Sequence, residues 1–116
     1  MSPGCSLTIS VPQVGSNGGG TALYVWGGGM MSCTSPVGHI EVTVDAYHNG
    51  EHFWYTSHGE GSARPGFKLY SVTQVFAPAC TAGSWYFHVD SIVIGLPGYT
   101  PYIGTSGNSI TINTTC

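Results

Sequence analysis

Residues 80–94 read Cys80-Thr81-Ala82-Gly83-Ser84-Trp85-Tyr86-Phe87-His88-Val89-Asp90-Ser91-Ile92-Val93-Ile94. This is the densest apolar and aromatic run in the chain. It opens at a cysteine, turns at Ala82-Gly83 and then alternates. Successive side chains of a β-strand point to opposite faces, so Trp85, Phe87 and Val89 share one face and Tyr86, His88 and Asp90 the other. That is the pattern of a central strand in a two-layer β protein. The apolar parity changes after Asp90, from 85/87/89 to 92/94, and a bulge near Asp90-Ser91 is expected to keep both sets inward.

Working outward, the strand signals repeat with turn signals between them. Residues 39–48 give the cleanest alternation, with Ile40, Val42, Val44 and Ala46 inward and Glu41, Thr43, Asp45 and Tyr47 outward. Asn49-Gly50 follows, the strongest short hairpin signal. A two-residue turn there sets His48 opposite Glu51, Tyr47 opposite His52, Ala46 opposite Phe53 and Asp45 opposite Trp54. Phe53 and Tyr55 then join the core face. Thr43, Asp45, Tyr47, His52, Trp54 and Thr56 share the outer one.

Before that hairpin, Leu7, Ile9 and Val11 alternate inward in a first strand. A second, Thr21–Trp26, is interrupted by Gly27-Gly28-Gly29 and resumes at Met30–Cys33. Three glycines within a strand predict a bulge, a bend or a close backbone approach. After the hairpin come a strand over Phe67–Phe76, the central strand, and a closing segment with Ile110 and Ile112 on one face. Seven to eight short strands, with no helical periodicity, define an all-β sandwich or barrel. The 116 residues make one domain, 1–116, large enough to bury a core of its own.

Only 6% of residues are charged against 41% hydrophobic. Solubility therefore rests on Ser, Thr, Asn and Gly. With two basic residues, Arg64 and Lys68, there is no footprint for nucleic acid or anionic lipid. No run of about 20 apolar residues marks a membrane span.

The cysteines at 5, 33, 80 and 116 have no zinc-type spacing and read as two disulfides made in an oxidising compartment. Four cysteines allow three pairings. The expected one is Cys33–Cys80, tying two core strands, with Cys5–Cys116 stapling the terminal strands against fraying.

The order Cys5…Cys33…Cys80-Thr-Ala-Gly-Ser-Trp85…Cys116, with Gly-Gly-Gly-Met-Met-Ser before the second cysteine, resembles small secreted immunoglobulin-like proteins of actinobacteria. The resemblance covers most of the chain. It implies an immunoglobulin-like β-sandwich and a secreted, extracellular protein, with no activity attached. The chain departs from an antibody-type domain at two points: Trp54 lies 21 residues after Cys33, and no Tyr-x-Cys precedes Cys80.

The reactive groups are few. His48 and His52 flank the Asn49-Gly50 turn on opposite faces of the hairpin, so they do not share a metal, and we expect no metal or other cofactor. Pairs such as Glu41 with His58, or His52 with Tyr47, are the remaining surface combinations. No serine sits in a Gly-x-Ser-x-Gly elbow, and the carboxylates fall on outer faces or loops. The expected role is therefore non-enzymatic. A surface or extracellular module that contacts protein, including copies of itself, comes first. Second is carbohydrate binding on a platform of Tyr47, Trp54, His52 and Asp45, extended by Tyr99 and Tyr102. A small secreted hydrolase built around His88 comes third.

Overall fold

The computed structural model describes residues 4–16, 22–65, 68–96 and 103–116, without the side chains of Ala22, Trp54 and Ile103. Its strands are β1 (Cys5–Ile9), β2 (Gln13–Ser16), β3 (Ala22–Val37), β4 (His39–His48), β5 (Glu51–Ser62), β6 (Leu69–Phe76), β7 (Gly83–Ile94), β8 (Ile103–Asn108) and β9 (Ile112–Thr114). The expectation of an all-β chain with antiparallel sheets and two disulfides holds. The described strands number nine rather than seven or eight.

Two sheets face each other. In the smaller, β3 lies between β6 and an interrupted edge made of β1 and β2. Pro12 separates those two pieces. Ser10 N donates to Gly28 O at 2.9 Å, so the edge stays attached across the gap. In the larger sheet the order is β5-β4-β7-β8, with β9 pairing the start of β7. The chain crosses from one sheet to the other at Gly38, where β3 ends and β4 begins. There Gly38 N donates to Ile94 O at 2.9 Å and Gly38 O accepts from Ala63 N at 2.7 Å.

The core is the inner face of β4 and β7 packed on the inner face of β3 and β6. Ile40, Val42, Val44, Ala46, Trp85, Phe87, Val89 and Val93 are fully buried, against Val25, Met31, Val37 and Phe76. The indole Nε1 of Trp85 donates to Thr81 O at 2.9 Å, so this large side chain goes inside without an orphaned donor. The three glycines of β3 neither bulge nor break it. Its pairing with β6 is unbroken from Gly27 to Ser32. They are a close approach instead: a Cβ on Gly27 would stand 2.4 Å from the Phe87 ring, and one on Gly29 would stand 3.0 Å from Val89. The bulky ridge of β7 thus settles into a trough with no side chains.

Several expectations are corrected. No bulge interrupts β7, whose pairing with β4 runs through ten consecutive partners. Ser91, not Ile92, takes the inner position, because its Oγ donates to Glu41 O at 3.0 Å and a small hydroxyl with a partner costs little to bury. Ile94 consequently faces outward, 43% exposed. Val11 and Ile110 also lie exposed rather than inward, and Tyr55, though its ring meets Phe76 at 6.1 Å, stays 55% exposed. Val11 and Ile110 fall outside the strands, where alternation no longer dictates a face.

The disulfides pair as Cys5–Cys33 and Cys80–Cys116, not as Cys33–Cys80 and Cys5–Cys116. Cys5 stands directly opposite Cys33 in the β1–β3 ladder. The bridge therefore lies within one sheet, and the second ties the segment before β7 to the chain beyond β9.

Candidate functional site

Charge is divided between the sheets. β1, β2, β3 and β6 contain no Asp, Glu, Lys, Arg or His. All five histidines and all five carboxylates sit on β4, β5 and β7. Alternation then sorts them by face. The outer positions of β4 are His39, Glu41, Thr43, Asp45 and Tyr47, and those of β7 are Tyr86, His88, Asp90, Ile92 and Ile94. β5 contributes His52, Thr56, His58, Glu60 and Ser62 beside them.

The position of β5 depends on an irregularity. The Asn49-Gly50 turn, with φ of 51° and 82°, delivers His48 opposite Glu51 and Tyr47 opposite His52, as its geometry requires. Beyond that the register shifts, and Asp45 faces Thr56 rather than Trp54. The shift is two residues, so no side chain changes face. It moves His58 opposite Thr43 and Glu60 opposite Glu41.

Near the turn, the expected trio assembles. His52 Nε2 lies 3.0 Å from Asp45 Oδ1, which also accepts from Thr56 Oγ1 at 2.9 Å. Tyr47 meets the His52 ring at 5.3 Å and stacks on Tyr86 at 4.7 Å, with ring planes 2° apart. Tyr86 is the partner that the sequence reading did not single out; its cue was the outward position on the central strand. Trp54 belongs to the shifted part of β5, and its side chain lies outside the description. Tyr99 and Tyr102 lie outside the described residues. His48 takes an inner position at the end of β4, over Trp85 at a ring distance of 4.5 Å, and its Nε2 bonds Ala82 O at 2.9 Å.

Along β7, His88 Nδ1 bonds Asn108 Oδ1 of β8 at 2.5 Å and its Nε2 lies 3.2 Å from Asp90 Oδ1. The Asn108 carbonyl raises the His88 pKa above the ordinary value. Burial opposes that, and the Asp90 carboxylate adds to it. Both ring nitrogens are therefore engaged with groups on the same sheet face.

Farther from the turn lies a second cluster. His39 Nε2 and His58 Nε2 each stand 3.7 Å from Glu41 Oε1, and His58 Nε2 is 3.3 Å from Glu60 Oε2. Hydrogen bonding to His58, and then to Glu41, holds the exposed Glu60 carboxyl below its ordinary pKa.

No family model, no curated protein and no solved structure matches this chain. Among the described residues, no helix is long and apolar enough to cross a membrane.

The outer face of the smaller sheet has a different chemistry. Tyr24, Met30 and Val75 point outward there, 40%, 36% and 45% exposed, and Trp26 lies half-buried on the same side of β3. Thr8, Thr73, Ser32 and Ser71 surround Met30 across the ladders with β1 and β6. The Tyr24 ring lies over Gly15 of β2, where a Cβ would come within 2.0 Å of it. The result is an apolar strip bordered by hydroxyls, with no charge anywhere in its sheet.

Proposed function

We propose that this chain is a secreted, non-enzymatic extracellular module of immunoglobulin-like topology that associates through the uncharged outer face of its smaller sheet. Its first partner in this reading is a second copy of itself. The single observation that carries it is the complete absence of charged side chains from β1, β2, β3 and β6. Charged residues on edges and faces are what ordinarily keep β-sheets from pairing with one another. Here the edge made of β1 and β2 has none, and the net charge of −3 on 116 residues offers little long-range repulsion.

The immunoglobulin-like reading draws on the pairing order. Counting β1 with β2, and β8 with β9, as interrupted strands leaves seven. They divide into three in one sheet and four in the other, with the central strand β7 between β4 and β8. The two disulfides agree with export to an oxidising compartment.

A carbohydrate platform fits the geometry less well. A sugar ring stacks on an open aromatic face, and Tyr47 has Tyr86 stacked against it and His52 beside it. Sedimentation velocity across a wide concentration range tests the two readings. Self-association that Met30→Lys abolishes, with an unchanged circular dichroism spectrum, is the expected result. A chain that stays monomeric at every concentration overturns it. Retention on a soluble polysaccharide that is lost on Tyr47→Ala then supports the carbohydrate reading instead.

A further inference from the structure

We propose that His39, Glu41, His58 and Glu60 form a binding site for a divalent transition-metal ion of the zinc type on the outer face of β4 and β5. The donor atoms of His39, Glu41 and Glu60 all lie within 4.8 Å of one another. His58 adds a fourth donor, 3.7 Å from Glu41 Oε1 and 3.3 Å from Glu60 Oε2. Ligand atoms around a tetrahedral zinc ion with bonds of about 2.0–2.1 Å are separated by about 3.3–3.4 Å. The His–Glu contacts of 3.3–3.7 Å approach that edge length, and the wider spacings, up to 4.8 Å, close by rotation of the exposed side chains.

The imidazoles are also aimed. His39 Nδ1 bonds Ser62 Oγ at 2.5 Å, and His58 Nδ1 bonds Thr43 Oγ1 at 2.8 Å. In the tautomer where Nδ1–H donates to the hydroxyl, each Nε2 lone pair points at the cluster. Ligating histidines are commonly held this way, with the far nitrogen fixed by an outer partner. Here two rings on different strands are held so, and both face the same carboxylate oxygen.

A cation also resolves an unfavourable pairing. Glu41 and Glu60 are direct partners in the β4–β5 ladder. Like charges directly opposite each other destabilise a sheet. Two imidazoles with two carboxylates favour zinc and its late first-row neighbours over calcium or magnesium, which take oxygen ligands. The four side chains are partly open to solvent, so an ion reaches them directly and retains room for water.

Calorimetric titration of the intact, disulfide-bonded chain with Zn²⁺ tests the site. One ion per chain is expected, with the His39 and His58 ring signals moving first in the NMR spectrum. Glu41→Gln and Glu60→Gln each remove the saturable binding, whereas Glu51→Gln leaves it. Ser62→Ala, which touches no ligand atom of the ion, weakens it by about 10–100-fold. Met30→Lys binds zinc like the parent chain, so loss of self-association and loss of the site are read separately. No saturable binding at about millimolar zinc, binding indifferent to both glutamate variants, or first shifts at His52 or His88 overturns the proposal.

Discussion

Gly27 of β3 lies directly beneath the ring of Phe87 on β7. A methyl group there would come within 2.4 Å of Cδ2 and 2.6 Å of Cγ of this fully buried ring. The two sheets therefore approach at a point where one contributes only backbone. Gly27→Ala is expected to cost about 1–3 kcal/mol, the usual range for an overpacked core. Thermal unfolding should register this as a fall of several degrees. Phe87→Leu removes the obstructing ring edge, so the double variant should be more stable than the two single losses added together. Strict additivity would show that Gly27 is needed for something other than Phe87.

The legible and illegible parts of the chain divide along a physical line. Alternation in Ile40–Ala46 and Trp85–Val89 gave the faces correctly, because burying every second side chain is a local property of a strand. The Asn49-Gly50 turn likewise dictated its first two pairs. The turn does not reach as far as Asp45, where the aromatic run Phe53–Tyr55 accommodates two extra residues in β5. Sorting by residue type alone also misplaced Ser91, whose inner position depends on a carbonyl of β4, fifty residues away in sequence. Asp45, Tyr47 and His52 were found because they share one face near the turn. The His39–Glu41–His58–Glu60 cluster was only half visible, as the Glu41 and His58 pair. His39 lies two residues from Glu41 on the same face of β4, and Glu60 two from His58 on β5; the register shift changes only which of them stand directly opposite, setting Glu41 against Glu60.

Cysteine pairing is the part of the fold that chemical mapping checks most directly. Spacing left three pairings open, and strand neighbours decide among them: Cys5 and Cys33 are cross-strand partners with Cα atoms 4.0 Å apart. A non-reducing digest should yield the Cys5 peptide joined to the Cys33 peptide, and the Cys80 peptide joined to the Cys116 peptide. On the chain-entropy account, loops with sequence separations of 28 and 36 residues are each worth roughly 4 kcal/mol. Replacing either pair by serine should lower the unfolding midpoint while leaving the β spectrum. A Cys33–Cys80 cross-link would be incompatible with the bond from Cys80 N to Leu23 O, which holds Cys80 ten residues along β3 from Cys33.

His88 provides a pH-dependent test of the outer face. Its Nδ1 meets the Asn108 carbonyl and its Nε2 meets Asp90, and these contacts outweigh partial burial and raise its pKa. A histidine that holds its proton more tightly when folded stabilises the folded state in its charged form. That contribution is complete below the unfolded value, about 6.5, and is lost as the pH rises through the higher folded value. NMR titration should therefore place the His88 midpoint above that of an ordinary histidine, and Asn108→Ala should bring it down. The stability difference between the parent chain and Asn108→Ala should be larger below about pH 6.5 than at a pH above the folded midpoint. A midpoint below the ordinary value would mean that burial governs His88, and that Asn108 does not hold the imidazolium.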